Sequence, residues 1–237
     1  MTSDNPASRL YEILKFAKGI AIHASQREVW KQTLDMNNCS DSQLLAQLGK
    51  VMALPEEIHY WLEEKFPTKQ WTTWKNSIDT AFSNIYLNGK WELAANHIND
   101  RAMTELDIIS TLYETAGAVK PISQQQLDSF TKKISDLKKE ITSSNMPLQM
   151  KKTFLKYLNK ILEALESYYI TGSEPIMEAV EAAMGHVVVD SDYADSLRKT
   201  GTGEQLVSFL GSLIDAVASV QGLPPMATPF LQLIKSK

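Results

Sequence analysis

Ser123–Thr171, SQQQLDSFTKKISDLKKEITSSNMPLQMKKTFLKYLNKILEALESYYIT, is the stretch whose reading decides the fold. In its first half Leu127, Phe130, Ile134, Leu137 and Ile141 recur at alternating steps of three and four. Phe154, Leu158, Ile161, Leu165 and Tyr168 do the same in its second half. That spacing lays each set along one side of a helix. Thr142-Ser-Ser-Asn-Met-Pro147 interrupts the pattern, and Pro147 suits the start of a second helix. Two such stripes joined by a short turn bury each other, so an antiparallel helical hairpin is expected here.

The hairpin sits at the centre of an expected all-α, multi-helix bundle of about ten to twelve helices. Before it, apolar periodicity predicts helices over 8–24, 26–36 and about 41–55. A further short helix is expected from Pro55 to Lys65, because a proline normally ends the helix before it. Trp71, Trp74, Ile78, Phe82 and Ile85 fall on one helical face and read as core. A single long helix is then expected over 90–116, with Trp91, Ala94, Ile98, Ala102, Leu106, Ile109 and Tyr113 inward. After the hairpin, Gly172 and Ser173 read as caps around a turn, and a helix follows to Gly185. His186-Val-Val-Val-Asp190 is the only strand-like run; it has no second strand to pair with and reads as a connector or a frayed helix end. A short helix is expected over 190–199. Thr202-x-x-Gln205 reads as the capping box of an apolar helix to Val220. A last helix is expected from Thr228 onward. Val119-Lys-Pro121 marks a boundary between lobes 1–119 and 120–237, unless the two form one continuous domain.

Composition narrows the class. With 43% hydrophobic and 22% charged residues the chain is globular rather than disordered. Its formal charge of −4 gives no overall nucleic-acid signature, so nucleic acid is not expected as a partner. Cys39 is the single cysteine, which fits a reducing, cytoplasmic compartment. Met1-Thr-Ser-Asp-Asn-Pro6 lacks a basic region followed by an apolar run, so no secretory signal is expected. The most apolar window, 206–220, is too short to span a bilayer and reads as a buried helix.

Charge is segregated along the chain. Residues 120–162 carry a net charge of +6, residues 163–234 a net charge of −8, and residues 1–119 a net charge of −4. The hairpin is a basic band between acidic flanks. Lys132, Lys133, Lys138 and Lys139 are its candidate partner-binding residues, because clustered ammonium groups attract an acidic partner. Tyr60 and Tyr86 fit the aromatic core stripe of residues 60–91 poorly and are candidate anchors on a docking surface.

Catalytic motifs were sought and none emerges. Thr200-Gly-Thr-Gly203 lacks the preceding strand and following lysine of a phosphate loop. Glu56-x-x-His59 has no second copy, as a carboxylate-bridged metal bundle requires, so no metal or cofactor is expected. Asp190-x-Asp192-x-x-Asp195 departs from the calcium-loop pattern at Ala194, Asp195 and Gly201. His59, His97 and His186 remain the candidates for a site assembled from distant residues.

Ile161-Leu-Glu-Ala-Leu-Glu-Ser-Tyr-Tyr-Ile-Thr-Gly172 followed by Ala179-Val-Glu-Ala-Ala-Met-Gly185 resembles a pattern of bacterial all-helical proteins of no assigned activity. The resemblance covers under a third of the chain and implies a helical fold alone. The function expected from the sequence is non-enzymatic: a protein–protein interaction module such as a bacterial adaptor, immunity or defence-accessory subunit, working on another protein or by self-association. The alternative is a bundle that senses or carries a small apolar ligand between its helices.

Overall fold

The computed structural model describes residues 4–69, 71–117 and 120–226. Three-quarters of the chain is helical, in twelve helices, and no strand occurs among the described residues. The protein is an all-α helical bundle. The chain divides into two compact units, Met1–Gly117 and Ala118–Lys237.

The first unit holds α1 (Pro6–Lys18), α2 (Gln26–Thr33), α3 (Asp41–Lys65), α4 (Thr73–Ser83), α5 (Glu92–Ala95) and α6 (Asp100–Thr115). Side-chain oxygens close the helix starts. Asn5 accepts from the Ser8 amide, and Ser25 and Ser40 form capping boxes with Glu28 and Gln43. α1 packs on α6 and α3, and α4 packs on α6. Trp30 and Trp91 meet edge to face at 5.5 Å, both buried, and Trp74 is buried with them. Gln26, fully buried, gives its Nε2 to the carbonyls of Asn84 and Lys90, and its Oε1 accepts from the Tyr86 amide at 2.8 Å. Arg9 is 4% exposed. Its Nη1 donates to Asp4 at 2.7 Å and its Nη2 reaches Glu57 at 3.4 Å.

Several sequence expectations are corrected in this unit. The first helix ends at Lys18, not Ala24. Gly19 lowers helix propensity by about 1 kcal/mol, and the next residues use their carbonyls elsewhere. Ile22 and Ala24 accept from the amides of Glu92 and Trp91. α3 runs through Pro55 without a break. An interior proline costs about 3 kcal/mol, but Val51, Leu54, Ile58 and Leu62 make one continuous buried stripe across it. The expected long helix over 90–116 is instead α5 and α6, separated at 96–99. The expected inward residues stay inward, Tyr113 half-buried, because Asn99 caps α6 through the Ala102 amide and Lys18 donates to the Ile98 carbonyl.

The second unit holds α7 (Gln124–Ser143), α8 (Leu148–Glu166), α9 (Tyr168–Thr171), α10 (Glu174–Val189), α11 (Ser191–Lys199) and α12 (Gly201–Val220). α7 and α8 form the hairpin, and Ser123 caps α7 in a capping box with Gln126. The buried Tyr168 hydroxyl accepts from the Ile122 amide at 2.8 Å and pins the chain entering α7. α12 packs against α7, α10 and α11 and buries Leu206, Phe209, Leu210, Leu213, Ile214 and Val217. Gly172, at φ 73°, makes the left-handed turn between α9 and α10.

Two further expectations change here. Residues 186–189 are helical, the last turn of α10, because Val187 packs on the core and holds the turn. α12 is capped by Thr200, whose Oγ1 accepts from the Gly203 amide, and not by Thr202. The Thr202 hydroxyl donates instead to Glu140 of α7 at 2.7 Å, joined there by Gln205. The helix expected from Thr228 lies outside the described residues.

α11 and α12 approach so closely that Gly203 has no room for a side chain. A Cβ there would sit 2.6 Å from Leu197 Cα and 2.7 Å from its carbonyl oxygen, both backbone atoms. Gly203→Ala is expected to cost about 1–3 kcal/mol through overpacking, read as a fall of several degrees in the thermal midpoint. Gly201→Ala, whose Cβ meets nothing within 4 Å, is expected to leave the midpoint within about a degree, a surface change of under about 0.5 kcal/mol.

Candidate functional site

α7 is amphipathic on a narrow stripe. Only Ile134, Leu137 and Ile141 are buried in its twenty residues, with Leu127 and Phe130 half-buried beside them. The rest of its surface faces outward, and that surface carries the lysines. Where α7 meets α8, an open groove of about 710 Å³ runs along the helices. Ile134 and Leu162 supply apolar lining, while Thr131, Ser135 and Thr142 contribute hydroxyls. Lys138, Lys139 and Glu166 supply charge.

Of the four candidate lysines, the structure brings Lys138 and Lys139 to this groove. Lys138 Nζ donates to Asn159 Oδ1 of α8 at 2.8 Å, bridging the hairpin. Lys139 lies 3.8 Å from Asp136, a loose and exposed pair. Lys132 and Lys133 do not line the groove; Lys133 reaches Gln205 of α12 at 3.5 Å, and Lys132 is exposed. Tyr60 and Tyr86 belong to the first unit. They are 68% and 63% exposed, on α3 and on the segment after α4, and no ring contact joins them among the described residues. Trp61 nearby is taken up by packing: it stacks on Tyr113 at 3.6 Å and meets Phe66 edge to face.

The +6 of residues 120–162 also holds a second set of lysines, outside the four candidates. Lys152, Lys156 and Lys160 recur every four residues on the outward side of α8, all exposed. Lys156 lies over the Tyr157 ring, and none of the three makes an ion pair among the described residues. Their four-residue spacing was the available signal.

The histidines are dispersed. His59 Nε2 lies 3.2 Å from Glu63, while Glu56 turns to Lys75 at 2.8 Å, and that hydrogen bond holds the Glu56 carboxyl below its ordinary range. His97 is exposed in the segment before α6, and Arg101 pairs with Glu105 instead. No group of three or more His, Cys, Asp or Glu is placed to hold a metal among the described residues.

His186 sits in a junction the sequence did not reveal. Its ring lies 5.5 Å from Tyr157 of α8 and 5.0 Å from Tyr193 of α11, and its Nε2 is 3.4 Å from Asp190 Oδ2. The other Asp190 oxygen accepts from the Tyr193 amide and caps α11. The 3.4 Å separation is too long for a strong hydrogen bond, so the junction works as packing of α8, α10 and α11. His186-x-x-x-Asp190 would have signalled it only with that segment read as helix; the tyrosines come from distant helices.

Comparison of the chain with protein-family models, with curated proteins and with solved structures returns no match.

Burial raises the ionisation of Tyr113, Tyr157 and Tyr193 above the ordinary 10.0. The folded chain therefore favours the neutral phenols. Their contribution to stability is complete below the unfolded value and is lost as pH rises toward the raised folded ones. The thermal midpoint is expected to hold to about pH 9 and fall above about pH 10. Tyr193→Phe removes a buried hydroxyl that has no partner. It should leave stability at neutral pH within about 1 kcal/mol and make the alkaline fall shallower, as followed by circular dichroism across a pH series.

Proposed function

We propose that this protein works by binding another protein, and that the α7–α8 hairpin is the contact. One observation carries the reading: the groove sets the half-buried Leu162, over a floor closed by the buried Ile134, beside Lys138 and Lys139, in a segment of net charge +6. An acidic amphipathic helix is the occupant that matches it. Its apolar side meets the half-buried Leu162, and its carboxylates meet the lysines, as in other helix-in-groove recognition. Exposed ammonium groups add little to the stability of the fold. They raise the encounter rate and select an acidic partner.

The role that fits is an adaptor, or an immunity or defence-accessory subunit, of a bacterial cytoplasm. The single cysteine and the resemblance of residues 161–185 to bacterial helical proteins support that setting.

The test is a comparative pull-down with a salt series. The quadruple variant Lys132→Glu, Lys133→Glu, Lys138→Glu and Lys139→Glu is expected to lose a partner that the wild type retains, by about 10- to 100-fold in affinity at low salt. The difference should shrink above about 0.5 M salt, where charges beyond a few ångströms are screened. Reversing Lys65 and Lys90 in the first unit is the control and should retain the partner. Retention unchanged by the quadruple variant and by salt overturns the reading.

A further inference from the structure

A second charged surface lies on the outer side of α8 and α10. The two helices are joined through α9 and run antiparallel, with Tyr157 of α8 level with His186 of α10. The exposed side of α8 carries Lys152 and Lys156 in its first half and Lys160 just past its middle. The exposed side of α10 carries Glu174, Glu178 and Glu181, also in its first half. Because the helices are antiparallel, Lys152 and Lys156 lie toward one end of the face and Glu174 and Glu178 toward the other, with Lys160 and Glu181 between them. The three glutamates make no ion pair among the described residues, and neither do the three lysines. Charges of opposite sign on adjacent helices are thus left apart within one molecule.

A face with a basic end and an acidic end is complementary to itself. Rotation by a half-turn about an axis through its middle places each basic end against the acidic end of the other copy. On α10 the middle of the face carries small side chains. Ala182 and Gly185 of α10 are exposed there, and a Cβ at Gly185 would meet nothing within 4 Å, so a second helix pair can come close. The same side of α10 exposes Val188 and Val189 at 70% and 77%, apolar area left in water by a lone copy.

We infer that a second copy of this chain docks on the α8–α10 face, related by a two-fold axis, with Lys152, Lys156 and Lys160 of each copy against Glu174, Glu178 and Glu181 of the other. The interface is isologous, so the assembly closes at two copies. It does not use the α7–α8 groove and stands independently of the partner proposed for it.

Charge reversal tests it on the full chain by sedimentation velocity or light scattering. The wild type is expected at about twice 26.6 kDa, with a dissociation constant that rises with salt between about 0.05 and 0.5 M. Lys152→Glu with Lys156→Glu and Lys160→Glu gives a wholly acidic face and should weaken self-association at least about tenfold. Glu174→Lys with Glu178→Lys and Glu181→Lys gives a wholly basic face and should do the same. An equimolar mixture of the two variants restores the dimer, which also shows that both remain folded. Should either triple variant lose its helical spectrum, Lys156→Glu and Glu178→Lys repeat the test as single changes. A wild type of 26.6 kDa at about 100 μM and low salt overturns the inference, because a dimer with dissociation constant well below that would be populated. Variants that dimerise as the wild type does, or a mixture of folded variants that stays monomeric, overturn it as well. The Lys132, Lys133, Lys138 and Lys139 reversal leaves the dimer intact, so loss of the partner and loss of the dimer are read separately.

Discussion

The seam between α7 and α8 is the constraint on which the second unit depends. α8 buries seven residues, from Met150 to Leu165, and α7 buries three. That asymmetry makes α8 a central helix and α7 a peripheral one. Burial of Ile134, Leu137 and Ile141 each contributes on the order of 2 kcal/mol, which holds α7 in one register. Polar ties then fix it beyond the apolar stripe. The capping box at Ser123 and the Tyr168 hydroxyl act at its start, and Glu140 receives Thr202 and Gln205 from α12 near its end. A helix held by so narrow a stripe keeps the rest of its circumference in water. The lysines of α7 are outward as a direct consequence.

The first unit solves a different problem. Its aromatic residues are many, and most are buried or half-buried, while Phe16, Tyr60 and Tyr86 stay exposed. Trp30, Trp74 and Trp91 are buried outright, and Trp61 stacks against Tyr113. The irregular segment around residues 84–91 survives among them because its polar backbone is satisfied. Gln26 supplies three of those hydrogen bonds from a fully buried position, and the carbonyls of Ile22 and Ala24 take two more amides. A buried amide that meets several backbone groups fixes one loop conformation, since any other leaves donors unpaired.

The helical class, the hairpin and most of the core were legible because they rest on period, and period is local. Leu137 and Leu158 announce their faces within one turn on either side. What was not legible rests on competition between distant groups. Pro55 reads as a stop until the stripe from Val51 to Leu62 is seen to be buried on both sides of it. Residues 96–99 read as helix until Asn99 and Lys18 are seen to satisfy a break. Thr202 reads as a cap until Glu140, sixty-two residues earlier, takes its hydroxyl. The groove was half legible: lysine spacing placed Lys138 and Lys139 on a basic helix, but only folding showed that Leu162 lies beside them and that Lys132 and Lys133 lie elsewhere. The junction at His186 needed three helices to meet and left no local trace beyond an Asp one turn on.

The net charge of −4 conceals the property that organises both surfaces. Sequence segregation alone would allow the basic hairpin and the acidic helices after it to neutralise each other inside the unit. Helix direction works against this, because it sets Lys152 and Lys156 of α8 and Glu174 and Glu178 of α10 toward opposite ends of the helix pair. The two surfaces therefore differ in kind. The groove offers Leu162 beside its lysines, so on the proposed reading an occupant gains from dehydration as well as from charge. The α8–α10 face is mostly charge, with two valines at one end, so association there is weaker and follows ionic strength closely. On the two proposals taken together, the lysines of α7 and those of α8 serve separate contacts, one with a partner protein and one with a second copy.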